Sequence, residues 1–185
     1  PVEKIKKILI LDDDPHLLRL FREMLGHYFP GAEVHAARNE MQYMEKLGIK
    51  GGPELMKEML DVTSVDGMTR LLEKKVKTGI ISIDPSPEFD YDFYINDNQV
   101  GGRTPAHRGE GPCLAALVRA VNSLLKRGSY PPIALHSASP LKRIFPPDSG
   151  RTMEGFGISG FIEKGSTEYI GDAVRRVLKE HKGKG

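Results

Sequence analysis

The sequence predicts an α/β protein built on a doubly wound five-stranded parallel sheet with helices on both faces. Three observations carry this expectation. Five short apolar runs alternate with helical patterns along the 185 residues, the order that right-handed strand–helix–strand crossovers produce. The first run, Ile8 to Leu11, is unbroken by polar residues, as a strand covered on both faces is. The runs then end in Asp12-Asp13, Asp84, Ser137 and Lys164, and ligand-binding groups gather at the carboxyl ends of parallel strands.

Each element follows from local chemistry. After the first strand, Asp14 before Pro15 is a normal helix start, and Leu17, Leu18, Phe21, Met24, Leu25 and Tyr28 recur at helical spacing until Phe29-Pro30-Gly31. Glu33 to Ala37 is a short strand. Asn39 to Val62 gives two short, methionine-rich helical pieces broken at Gly51-Gly52-Pro53. Ser64 caps a helix with Val65, Met68, Leu71, Leu72 and Val76 on one face. Gly79 releases the chain into Ile80 to Asp84, the expected third strand. Pro85 to Pro112 mixes aromatics, acids and glycines and reads as a long loop. Leu114, Leu117, Val118, Val121, Leu124 and Leu125 mark an amphipathic helix stopped by Gly128. Ile133 to His136 is the fourth strand and Phe161 to Glu163 the fifth. Ser166 caps a final helix carrying Ile170, Ala173, Val174, Val177 and Leu178. Gly155-Phe156-Gly157-Ile158-Ser159-Gly160 matches GxGxxG, but it precedes a strand and so presents no helix N-terminus to a pyrophosphate.

Composition narrows the function classes. Apolar residues make up 39%, charged residues 28%, and the net charge is +2, which gives no strong pull toward nucleic acid or membrane. The length fits one domain. The single cysteine, Cys113, excludes an internal disulfide and reads as a small core residue. No apolar run reaches spanning length, and Pro1-Val2-Glu3-Lys4 does not begin a signal peptide, so a cytoplasmic protein is expected. The six histidines show no ligand spacing.

Adjacent carboxylates after a buried strand repel one another and are costly to desolvate, so they need a cation or a basic partner. Asp12, Asp13 and Asp84 supply oxygen ligands suited to a hard cation such as Mg2+. A hydroxyl at Ser137 and an ammonium at Lys164 suit phosphoryl oxygens.

In this order, ILILDDDPHLLRLF, GIISIDPSP, IALHSAS and GISGFIEKGS resemble the receiver (response-regulator, CheY-like) family of two-component signalling over nearly the whole chain. The resemblance implies the flavodoxin-like strand order 2-1-3-4-5. It implies that Asp84 accepts the phosphoryl group, while Asp12, Asp13, Asp84 and the Ser86 carbonyl hold Mg2+. Ser137 becomes the switch hydroxyl, Lys164 the phosphoryl counter-ion, and Phe161 the aromatic switch. The donor is then a histidine kinase or phosphotransfer protein, and output runs through a downstream protein partner with no direct nucleic acid contact. Gly165 follows Lys164 where many members carry proline.

Extra segments near 39–63, 86–112 and 141–148 follow the second, third and fourth expected strands, and are expected on the acid side as a lid or partner surface. The aromatics Phe89, Tyr91, Phe93 and Tyr94 would anchor the middle one. Two other functions compete. A phosphatase of the haloacid-dehalogenase type would use Asp12 and Asp14, although Pro15-His16 replaces its usual Gly-Thr turn. A receiver-shaped interaction module would take no phosphate at all.

Overall fold

The computed structural model describes residues 4–100, 109–128 and 130–183. Strands β1 (Lys7–Leu11), β2 (Glu33–Ala37), β5 (Phe93–Asp97), β6 (Ile133–Ser137) and β7 (Gly160–Glu163) form a five-stranded sheet in the order β2-β1-β5-β6-β7. Every neighbouring pair in it is parallel. The doubly wound fold and the order 2-1-3-4-5 of the core strands are therefore as expected.

One strand is not the expected one. Phe93–Asp97 lies at the sheet centre, paired to β1 and β6, with all five residues buried. The run ending at Asp84 supplies only β4 (Ser82–Ile83), which pairs antiparallel with β3 (Ile49–Lys50) in a separate two-stranded sheet. Ser82 is exposed and Ile83 half-buried, whereas a central parallel strand must bury both faces. Phe-Tyr-Ile-Asn-Asp meets that demand with aromatic and β-branched side chains.

Side-chain alternation divides the core in two. Ile8 and Ile10, Phe93 and Ile95, and Ala134 face helices α1 (Pro15–Tyr28) and α7 (Ile170–Lys182). Leu9 and Leu11, Tyr94, and Ile133 and Leu135 face the other side. There they meet α2 (Glu40–Lys46), α3 (Gly52–Met59), α4 (Val65–Lys77) and α5 (Glu110–Leu124). Leu55, Met59, Met68 and Leu72 are fully buried in this second core. The segment 39–63 is thus core-forming helix and strand, not the expected lid.

The aromatic anchors of the expected loop are core residues too. Tyr91, Phe93 and Tyr94 are buried, and Phe89 ends a 3-10 turn over Pro87–Phe89. Residues 101–108 of that segment lie outside the described residues. The segment after β6 forms α6 (Leu141–Ile144) and a 3-10 turn over Pro147–Ser149.

Helix α5 is buried all round from Glu110 to Asn122, where its pattern of large residues suggested one covered face. Ala115, Ala116 and Ala120, each with no exposed surface, leave room for α4 to pack over its outer side. Asp14 and Ser64 cap α1 and α4 as expected, but Ser166 does not cap α7. Its hydroxyl accepts from the Glu168 amide at 3.3 Å, and α7 opens after Tyr169 with no side-chain cap.

Glycine packs where the chain crosses itself. A Cβ on Gly157, whose φ is +70°, would lie 2.6 Å from Arg119 Cγ. The Arg119 guanidinium donates to the Gly157 carbonyl at 2.8 and 3.0 Å and to the Pro131 carbonyl at 2.6 Å. The GxGxxG match is therefore a packing feature that locks α5 to the strand ends. At the opposite end, a Cβ on Gly111 would lie 2.2 Å from the Asp97 carbonyl oxygen, and the Gly111 amide donates to the Asn98 carbonyl at 3.2 Å. Gly111→Ala should cost about 3 kcal/mol through a clash with rigid backbone, checked by urea unfolding against the parent.

Candidate functional site

Asp12 directly follows β1, and its backbone amide donates to the Ala37 carbonyl at 3.1 Å. Asp97 ends β5, in register with His136 of β6. Lys164 follows β7, and its amide donates to the Ser137 carbonyl at 2.9 Å. Parallel pairing therefore brings the three residues to one edge of the sheet, the edge where ligands bind in open α/β folds.

Their side chains meet there. The Lys164 ammonium lies 2.9 Å from Asp12 Oδ2 and 3.0 Å from Asp97 Oδ1. Asp12 is fully buried and Asp97 is 4% exposed. Asp13 is exposed, and one carboxylate oxygen from each of Asp12, Asp13 and Asp97 lies within 4.8 Å of the others. The other Asp12 oxygen, Oδ1, accepts from the Asp14 amide at 2.9 Å, so this carboxylate is held at both ends.

The expected acceptor and its neighbour lie elsewhere. Asp84 follows β4 of the small sheet; its amide donates to the Gly48 carbonyl at 2.9 Å, and its carboxylate accepts from the Ser86 amide at 2.9 Å. Asp84 and Ser86 are therefore absent from the acid cluster, and Asp97 occupies the central position assigned to Asp84. Asp97 was legible in principle: Phe93 to Asp97 repeats the pattern of a buried run ending in an acid. The preceding acids and following glycines masked it.

Ser137 closes β6 and is 3% exposed; its hydroxyl accepts from the Ser139 amide at 3.0 Å. Phe161 is half-buried against the α5 side of the core. Asp14 is occupied as the α1 cap, accepting from the His16 and Leu17 amides at 2.8 and 3.3 Å. His136, which sequence reasoning left without a role, lines the site from the α1 side. The residue is 4% exposed, its Nδ1 lies 3.8 Å from Asp12 Oδ2, and its ring centroid is 5.2 Å from that of Phe21.

Electrostatics separate the two buried carboxylates. Burial pushes Asp97 up to about 6, with Lys164 opposing and Asp12 adding to the rise. Burial also acts on Asp12, but the hydrogen bonds from the Asp14 amide and Lys164 outweigh it and hold this carboxyl below its ordinary value. Burial lowers Lys164, yet Asp97 and Asp12 together raise it on balance, so the ammonium stays charged. Burial lowers His136, leaving a neutral imidazole at physiological pH.

Three carboxylates offering only oxygen donors fit a hard divalent cation such as Mg2+ better than a soft metal. The same arrangement, with a hydroxyl and an ammonium beside it, fits a phosphoryl group.

The raised Asp97 value has a consequence for stability. Between about pH 4 and pH 6 the folded chain keeps a proton that the unfolded chain has released, so this group's contribution to stability falls as pH rises through that window. In chelator at about pH 7, Asp97→Asn should be more stable than the parent by about 1–3 kcal/mol. The difference should shrink toward zero at about pH 4, as urea unfolding at the two pH values would show.

No family model and no curated protein matches the chain. Solved structures do. The chain is similar to the receiver domain of the histidine kinase CKI1 from Arabidopsis thaliana, with a TM-score of 0.54 and 15% identity over 96% of this chain and 90% of that one. It is similar to a CheY-like response-regulator receiver domain protein from Methanospirillum hungatei JF-1, with a TM-score of 0.51 and 15% identity over 98% and 99%. The signal receiver domain of a DNA-binding response regulator from Colwellia psychrerythraea 34H gives 0.51 and 12% over 94% and 98%. No helix among the described residues is long and apolar enough to cross a membrane. With its parallel sheet, strand order and full-length likeness to these domains, the chain has the fold of response-regulator receivers.

Proposed function

We propose that the protein is a receiver that takes a phosphoryl group onto Asp97 from a histidine kinase or phosphotransfer protein and signals by protein contact. The observation that supports this most is the Lys164 ammonium placed between Asp12 and Asp97, at 2.9 and 3.0 Å, with Asp13 completing the acid cluster. Asp12, Asp13 and Asp97 would hold Mg2+, which when bound offsets negative charge on the phosphoryl oxygens and on the three acids.

The chain's own residues do the rest. The ionised Asp97 carboxylate attacks phosphorus in line; the bond from phosphorus to the donor imidazole nitrogen breaks as the new oxygen–phosphorus bond forms. Lys164 exchanges its contacts with Asp97 and with Asp12 Oδ2 for an equatorial phosphoryl oxygen, so its charge stays paired. The Ser137 hydroxyl turns from the Ser139 amide to donate to another phosphoryl oxygen. Drawing Ser137 and the following turn inward couples the acyl phosphate to the surface formed by α6 and Phe161. The phosphatase alternative would need Asp14 as its second acid, and one oxygen of Asp14 is engaged as the α1 cap.

The test is labelling of the purified protein with a small acyl-phosphate donor and Mg2+, read by intact mass and peptide mapping. Label should map to Asp97, be absent from Asp97→Asn, and persist in Asp84→Asn. Label on Asp84, label retained in Asp97→Asn, or no label at all would overturn the proposal. Steady release of free phosphate without a labelled protein would point to a phosphatase. By calorimetry, Asp13→Asn should weaken Mg2+ binding at least about tenfold through loss of a ligand charge.

A further inference from the structure

We infer that His136 is a positioning residue for Asp12, donating from Nδ1 to Asp12 Oδ2 when Lys164 leaves that oxygen. The inference rests on the cation and phosphoryl reading of the site. It starts from an oddity in β6. Ala134 and His136 both face α1 and α7, by the alternation that turns Ile133 and Leu135 to the opposite core. His136 shares the wall of a surface cleft with Phe21, Met24, Ile162 and Lys164, while the residue itself is 4% exposed. A histidine there must be hydrogen-bonded to repay its desolvation.

No hydrogen bond does so at Nδ1, which is buried without a partner. The acceptor it faces is Asp12 Oδ2, at 3.8 Å, beyond hydrogen-bond reach. That oxygen already binds the Lys164 ammonium at 2.9 Å. Phe21 packs on the ring from the α1 side, with 5.2 Å between the ring centroids. The charged groups facing the imidazole are Asp12 and Lys164.

The two donors therefore serve one oxygen in turn. While Lys164 bridges the acids, His136 waits just outside reach. Once the ammonium moves to the phosphoryl group, Asp12 Oδ2 loses a hydrogen bond in a buried position, which is costly. A shift of under an ångström brings Nδ1–H to it. Asp12 then stays held at Oδ1 by the Asp14 amide and at Oδ2 by His136, oriented for the cation. Groups that hold a metal-ligating side chain from behind typically change metal affinity by 10–100-fold when removed.

Calorimetric Mg2+ titration of the parent, His136→Leu and His136→Asn tests this, with thermal melts to establish folding. Leucine keeps the apolar fit and removes the donor; the asparagine amide restores a donor near Nδ1. His136→Leu should bind Mg2+ about tenfold more weakly, while His136→Asn should stay within about threefold of the parent. Equal affinity in the leucine variant, or equal loss in both folded variants, would overturn the inference. Nitrogen-15 NMR of the parent supplies a readout that needs no substitution: the neutral ring should carry its proton on Nδ1. A proton on Nε2 with a bare Nδ1 would also overturn it. If the parent binds no Mg2+, the cation reading fails by itself, and the tautomer still decides whether His136 serves Asp12.

Discussion

Two carboxylates buried at the ends of adjacent strands, Asp12 and Asp97, can be tolerated only because one ammonium lies between them. Buried like charges a few ångströms apart disfavour joint ionisation, and burial adds its own penalty. Lys164 resolves this unequally. Asp12, held also by a backbone amide, stays below its ordinary value, and Asp97 rises to about 6. The folded protein thus carries a strained carboxylate whose ionised form gains most from any further positive charge. A structural ion pair would remove that tension; this arrangement keeps it at the sheet edge, beside the exposed Asp13, where a ligand can relieve it.

The rest of the fold keeps the strand ends close enough for that exchange. Asn96, one residue before Asp97, accepts from the buried Tyr43 hydroxyl at 2.7 Å and donates to the Gly111 carbonyl at 3.3 Å. Gly111 lets α5 begin against the Asp97 backbone, and Arg119 locks the same helix to Gly157 and Pro131 at the far end. Helix α4 covers α5 from outside, so a helix that could have been half-exposed becomes part of the core. The site's geometry is therefore set by a helix held near its start and at Arg119, and α2, α3 and α4 pack into the core on the same side of the sheet.

How much of this was legible in the sequence follows from burial. Ile8 to Asp12 was readable because strands covered on both faces leave no room for polar interruption, and Ile133 to Ser137 and Phe161 to Lys164 because short, mainly apolar runs end there in a hydroxyl and an ammonium. The alternation of elements then gave the sheet its parallel character, and Asp12, Asp13, Ser137 and Lys164 their common edge. The third strand was not legible by the same rule. Ile80 to Asp84 has the apolar run and the terminal acid, but its exposed Ser82 suits a short antiparallel pairing, and apolar content alone does not tell the two apart. Phe93 to Asp97 was hidden because aromatics among acids and glycines resemble a loop anchor as readily as a strand. Nor could the small residues of α5 announce a second covered face, since alanine is equally at home on a solvated helix.

Strand β6 shows why the two residues at its end have separate tasks. Its backbone is tied on both sides: the Asn98 amide donates to the His136 carbonyl at 3.0 Å, and the Lys164 amide to the Ser137 carbonyl at 2.9 Å. A slip of one residue would exchange the two faces and bury the wrong side chains, so sliding of the strand is closed to it. Change at the site must then pass through side-chain rotation and through the turn that follows. His136 lies on the α1 side, with its Nδ1 3.8 Å from Asp12 Oδ2. Ser137 belongs to the other face, and its hydroxyl already accepts from Ser139 in the turn leading to Pro140, α6 and the Pro146-Pro147 break. One residue can steady the acid while its neighbour pulls on the turn, because the pleat of a single strand keeps their motions apart.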